Sequence, residues 1–441
     1  MEKRIEDNDE IDLAKSLETS KSWLQRLKEE SWEAELLVAT IAIFGTFQMF
    51  DLINWSTNKF IDLLDPSQYM IGYFIVYFGL LAISILISMF VIHFFLRAYW
   101  IGLVGLNSVF PDYSIKDSAY SKIYTEKILS ILPKLKDSIQ KVDELCSVIF
   151  SAAFTFLLIY MYVGLVASIY LLIFNLLSDY VQSYILLIPV IFTIIILFVQ
   201  MVLTIISNLK SNREKKKLQI WNFKIVRFVS IIMYGPLYKS ILQVSMIFGS
   251  NFKKKKSLVY LILLFLFSGM LVSIYQMTNT NIPYLVNRDS YFDVTKSYAS
   301  YYKTENENNR FLLNPEIDSD KVESNMLKVF IPIFSHEEKL RQNICGSFIA
   351  NPNKSSSEQQ KDERAQLLNC YQKYNLVYLN GEEKKVDYLR YEHPNTNQSG
   401  VICYLDDSNL KTGANSLVIK KKYGKGNSSE WTIPFYYSSK N

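Results

Sequence analysis

Metal-ligating and catalytic side chains are scarce in this chain. Its 441 residues include 3 histidines and 4 cysteines, and no C-x-x-C or paired-histidine spacing brings them together. That leaves no zinc framework. There is no H-E-x-x-H, no G-x-S-x-G and no glycine-rich phosphate loop. The commonest metalloprotease, hydrolase and nucleotide-binding mechanisms therefore lack their groups. On these grounds the chain is expected not to be an enzyme and to need no cofactor. A basic soluble surface is missing as well. The net charge is +5, but the polar tail after Met277 is close to balanced, which argues against nucleic acid as a partner. The charged opening stretch has no apolar core ahead of a small-residue site, so no cleavable leader is expected.

What the chain has instead is long apolar runs. Residues 69–95 read YMIGYFIVYFGLLAISILISMFVIHFF, without Lys, Arg, Asp or Glu. About 20 such residues cross the hydrocarbon core, where the backbone must satisfy its own hydrogen bonds. The expected fold is a membrane α-helical bundle followed by a small, mainly-β, sandwich-like soluble domain. Residues 1–34 form an amphipathic cytoplasmic helix. Residues 35–277 form the transmembrane domain, with spans at 35–53, 69–96, 147–176, 181–207 and 258–277. Residues 97–146 and 208–257 are helical cytoplasmic loops, with Pro133 expected to kink or divide the first of them. Residues 278–441 are the extracytoplasmic domain.

Orientation follows from basic residues. Lys plus Arg number 6 in the N-terminal arm, then 1, 7, 0 and 12 in successive loops. This alternation puts the N-terminus in the cytoplasm and, after five spans, the tail outside. The stretch 228–248, FVSIIMYGPLYKSILQVSMIF, is long enough to cross and would make six spans. It carries Pro236 and Lys239 centrally and has basic clusters on both sides. We read it as an interfacial or partly re-entrant helix pair broken at Gly235-Pro236.

Four polar groups in the spans are candidates for function, because ionisable groups in lipid are costly. They are Gln48 and Asp51 toward the outer end of the first span, and His93 and Arg97 at the cytoplasmic end of the second.

In the tail, strands are expected at 326–334, 375–379, 385–391, 400–405, 416–421 and 431–437, with Asn380-Gly381 as a tight hairpin turn. Pro332 and Pro434 mark their strands as edges. Helices are expected at 337–343 and 359–368. His336, Glu337 and Glu338 read as a solvated helix start. An oxidising compartment permits a disulfide. Cys345 with Cys370 is the expected pair, with 345–403 and 370–403 as competitors. Cys403, on the inward face of its strand, is the expected free thiol, and Cys146 a packed one.

The segment LRAYWIGLVGLNSVFP at 96–111 and the ending WTIPFYY at 431–437 resemble pieces of a family of uncharacterised bacterial integral membrane proteins. The resemblance implies a bacterial inner (cytoplasmic) membrane with the tail periplasmic, and no function. The architecture suggests a non-enzymatic scaffold, sensor or assembly component. Its exported domain would bind a partner or ligand, and its partners would be the lipid bilayer and a protein or a second copy. The alternative is a channel or transporter subunit.

Overall fold

A computed structural model describes residues 32–110, 119–177, 180–252, 256–288, 291, 296–304, 311–349, 354–406, 408, 410–422 and 428–438. The chain is mostly helical, with several apolar helices followed by a C-terminal β-sheet region. The amphipathic helix expected over 1–34 lies outside the described residues up to Ser31.

The helices are α1 Trp32–Leu63, α2 Tyr69–Val109, α3 Lys122–Ile131, α4 Leu135–Leu177, α5 Ser183–Asn208, α6 Lys216–Tyr234, α7 Tyr238–Phe252 and α8 Lys256–Met277, with a short α9 at Ile282–Val286. Six helical stretches among the described residues are long and apolar enough to cross a membrane, and one of them is Lys216–Phe248. Pro133 separates α3 from α4, since proline cannot donate within a helix and clashes with the preceding turn. The break at Gly235-Pro236 is also present. Gly235 takes φ +50°, and the Tyr162 ring lies where a Cβ would sit, so only glycine fits. One difference concerns α1. It continues ten residues past the expected end of its span, to Leu63, where Asp65 caps the 3-10 turn at Pro66–Gln68.

The chain divides into two compact units: Met1–Asp51 with Gly79–Tyr275, and Leu52–Phe78 with Gln276–Asn441. The tail therefore forms one unit together with residues 52–78, which the sequence reading had assigned to the membrane domain.

In the first unit, α2 packs on α4 through Phe90–Phe154 and His93–Phe150 ring contacts. α4 turns back into α5, and the Tyr170 hydroxyl donates to the Leu186 carbonyl at 2.5 Å. Leu86, Met89, Phe90, Ile149, Ala153 and Phe265 form the buried apolar centre. Gly269 of α8 lies directly against Ile85 of α2.

The second unit contains β1 Glu316–Ile317, β2 Lys321–Val322, β3 Met326–Pro332, α10 Glu337–Cys345, α11 Ser356–Tyr374, β4 Asn375–Leu379, β5 Glu382–Lys384, β6 Leu389–Glu392, β7 Ser399–Asp406, β8 Gly413–Lys422 and β9 Ser428–Tyr437. Two sheets form, ordered β1-β3-β7-β6 and β2-β9-β8-β4-β5. The inward residues of both share one core. Val329, Val401 and Cys403 of the first meet Val377, Ile419, Trp431 and Ile433 of the second. Full burial of each large apolar side chain contributes roughly 1.5–3 kcal/mol. The 380–381 turn has positive φ at both Asn380 and Gly381, the type I′ geometry that suits a two-residue hairpin.

Three strand expectations need correction. The stretch 385–391 does not pair with β4. Its hairpin partner is Glu382–Lys384, and Leu389–Glu392 joins the other sheet. β3 lies between β1 and β7, and β9 between β2 and β8, so neither is an edge. Both prolines are tolerated because the second neighbour is short. β1 pairs only as far as Phe330, and β2 only with Tyr436 and Tyr437.

Candidate functional site

The first unit holds a buried ionic centre around Arg97. α2 carries this guanidinium one turn beyond His93. Its Nη1 donates to Asp143 of α4 at 2.7 Å, and its Nη2 meets Glu35 of α1 at 3.1 Å. The Arg97 side chain is 1% exposed, against 17% and 19% for the two carboxylates. Its planar face lies over Trp100, 4.5 Å from the ring centroid, and Trp100 packs in turn on Trp32. Planarity and a five-donor fork let arginine bind two carboxylates and an aromatic face at once, which lysine could not do. One guanidinium against two carboxylates leaves the trio with one formal negative charge. His93 lies fully buried beside Phe150, with neither ring nitrogen hydrogen-bonded. Cys146 is a buried free thiol.

Of the four intramembrane candidates, the fold brings His93 and Arg97 into this centre. Gln48 and Asp51 are exposed on α1. Glu35 and Asp143 were missed as partners. The available signal was positional: each is a charge bordering an apolar run, on the same side as Arg97 once the spans alternate.

The second unit holds another polar centre, built around α10. Asp62, near the end of α1, receives the Ser335 N–H at 2.9 Å and the Ser335 hydroxyl at 3.0 Å. The Asp62 carbonyl accepts from the His336 N–H at 2.9 Å and faces His336 Nδ1 at 3.1 Å. The His336 ring stacks on Phe334 and meets the edge of Tyr69. Burial pushes this imidazole below its ordinary pKa. The next residue, Glu337, is fully buried and pairs with Lys421 at 2.7 Å, and Lys421 also donates to the Pro332 carbonyl at 2.7 Å. Burial drives Lys421 toward its neutral form, and Glu337 opposes that. The solvated reading of 336–338 is thus corrected for its first two residues: His336 and Glu337 are structural anchors, and only Glu338 is exposed.

Cys345 and Cys370 are disulfide-bonded, joining α10 to α11, and Cys403 is a buried free thiol. A groove of about 630 Å³ lies between the end of α11, the start of β4 and the 383–388 segment, with Gln372, Lys373, Lys385 and Tyr388 on its walls. No group of three or more His, Cys, Asp or Glu among the described residues could hold a metal ion. Comparison with protein-family models, with curated proteins and with solved structures finds no match.

Proposed function

We propose that this is a non-enzymatic integral membrane scaffold or sensor, with five spans, a cytoplasmic N-terminus and an exported β-sandwich that binds a partner or ligand. The observation that carries this reading is the attachment of the tail to residues 52–78. Asp62 holds Ser335 and His336, and Asn58 accepts from Asn281 at 2.9 Å. This attachment supports a topology in which the connection between the first two spans and the segment after the last span lie on one side of the membrane. An even number of crossings must separate them. Four crossings satisfy this, and a fifth by 228–248 would not. The packing of Gly269 on Ile85, with Phe265 among Leu86, Met89 and Phe90, independently supports α8 running antiparallel to α2. α7 ends within a few residues of where α8 starts, and Tyr162, which meets Gly235, lies midway along the third span. This favours re-entry by α6 and α7 over crossing.

The tail-to-hairpin attachment means that a load or ligand on the exported domain acts on the first two spans directly. A groove of about 630 Å³ is in the size range of small-molecule sites. The bacterial inner membrane is the setting that the basic-residue alternation and the stated family resemblance favour.

Reporter fusions after Lys59, Lys141, Tyr180, Lys217 and Lys303 test the topology, with out, in, out, in, out expected. A cytoplasmic signal at Lys303 would overturn it. Isolation from native membranes with mass spectrometry tests the role. A stoichiometric partner without solute flux in proteoliposomes supports the scaffold, whereas specific flux supports the channel or transporter alternative, which the Gly235 break motivates.

A further inference from the structure

α6 turns large apolar side chains outward. Its inward side mixes apolar groups, Leu218, Ile225, Val226 and the buried Val229, with hydrogen-bonded amides. Gln219 Nε2 donates to the Ser207 carbonyl at 2.9 Å, and the Thr204 hydroxyl donates to Asn222 at 3.2 Å. Its outward side carries Ile220, Trp221, Phe223, Phe228 and Ile231, all more than 40% exposed. A soluble amphipathic helix would bury those five and expose the amides. An outward apolar face of this kind needs a cover of lipid or protein.

Basic groups share that outward face, and they are graded along it. Lys217, Trp221, Lys224 and Phe228 follow one another at i, i+4, i+7 and i+11, which is one stripe of a helix. Arg227 stands beside Lys224. All three basic side chains are exposed, and Lys224 lies over the Trp221 ring at 5.8 Å. The turn before the helix adds Lys210, Arg213 and Lys215 against a single acid, Glu214. From Phe228 to Tyr234 there is no charge, and the helix then stops at Gly235 against Tyr162. The charge therefore ends where the helix would leave the headgroups and enter hydrocarbon. Tryptophan at the boundary has one wet and one apolar edge.

Resting on the membrane reading above, we propose that the first three turns of α6 form a binding face for anionic phospholipid headgroups, with Lys217, Lys224 and Arg227 as the phosphate ligands and Trp221 seated below them at the acyl boundary. Charge selects the occupant. The face bears basic groups alone, so a zwitterionic headgroup brings no net attraction, whereas each Lys or Arg near an anionic surface gains about fivefold in affinity.

The test uses the full-length protein in neutral detergent, with palmitoyl-oleoyl phosphatidylglycerol or the matching phosphatidylcholine added. Native mass spectrometry reads bound lipid, and thermal unfolding reads stabilisation. The wild type should retain phosphatidylglycerol in preference to phosphatidylcholine and be stabilised by it. Replacing Lys217, Lys224 and Arg227 together by Gln should weaken that retention on the order of 100-fold. Equal retention of the two lipids, or wild-type retention in the triple variant, overturns the proposal and would suit an acidic protein partner better. Should the triple variant not fold, Lys224→Gln alone should lose about fivefold. In the wild type, raising NaCl to about 0.5 M should release the lipid, since the Debye length shrinks to a few ångströms. Retention indifferent to salt also overturns it. The fusion after Lys217 separates the two readings: a periplasmic signal there defeats the topology while leaving the lipid measurement to stand by itself.

Discussion

The carboxylate of Asp62 holds Ser335 twice, through its N–H at 2.9 Å and its hydroxyl at 3.0 Å, across a sequence separation of 273. Asp62→Ala removes both acceptors and strands the donors. Because the site is exposed, the expected loss is about 1 kcal/mol. Thermal unfolding of the full-length protein in detergent checks it, and Asp62→Asn should fall between Ala and wild type. An unchanged midpoint in Asp62→Ala would mean that this attachment adds nothing to stability.

His336 makes the same attachment sensitive to acid. In place, the imidazole faces the Asp62 carbonyl. Burial lowers its pKa first of all, Lys421 and Arg288 lower it further, and Glu337 with the Asp62 hydrogen bond raises it. Tyr69 and Phe334 present only rings. The folded state thus binds fewer protons than the unfolded one, whose imidazole titrates near 6.5. The contribution is complete above that value and is lost as pH falls through it toward the depressed folded pKa. The melting midpoint should drop between about pH 7.5 and about pH 5, and His336→Gln should flatten that drop. Parallel profiles for the two proteins would rule out His336 as the group responsible.

Lys421 and Glu337 form a buried pair, with 1% and 0% of their side chains exposed. Glu337→Gln or Lys421→Met leaves one partner buried alone and should cost about 3–5 kcal/mol. The double replacement by Gln and Met should cost much less than the sum, because no lone charge remains. Additive losses in a double-mutant cycle would count against coupling.

Arg97 should be less replaceable than either of its acids. Arg97→Gln removes the buried guanidinium that bridges Glu35 and Asp143, so the yield of monodisperse protein should collapse, while Glu35→Gln alone should be tolerated. Adding Glu35→Gln to Arg97→Gln should recover part of the yield. No recovery would mean that the guanidinium acts chiefly by packing on Trp100.

Cys345–Cys370 closes a separation of 25 residues, which the chain-entropy model values at about 3 kcal/mol. The Cys345→Ala/Cys370→Ala variant should lose stability of that order. Without reduction, peptide mapping should recover this one pair. Cys403 should resist alkylation in the native protein, because burial pushes its thiol up to about 12. Alkylation of all three tail cysteines without prior reduction would contradict both statements.

These residues also show what could be read from sequence. The helix breaks at Pro133 and Gly235-Pro236, the Asn380-Gly381 turn and the inward Cys403 each follow from local chemistry or alternation, and the fold contains them all. The ionic pairs leave no such trace. Glu337 looked solvated because its partner lies 84 residues away on β8. Asp143 looked like one charge among several on an amphipathic helix, and only tertiary packing turns it toward Arg97. The prolines at 332 and 434 misled for a related reason. Proline reports a missing donor at one position, whereas being an edge is a property of the whole strand.

Cys403 sits in the middle of β7, paired with Val329 of β3, with its side chain pointing into the core between the two sheets, and this has a consequence for biosynthesis. Three thiols leave three ways to pair, and two of them involve Cys403. Once the two sheets close on each other, that thiol is sealed from oxidants and from the other sulfurs, and only the correct crosslink remains open. The order of assembly then acts as the proofreader: a core that closes before oxidation yields one product, and a core delayed by mutation should yield scrambled ones.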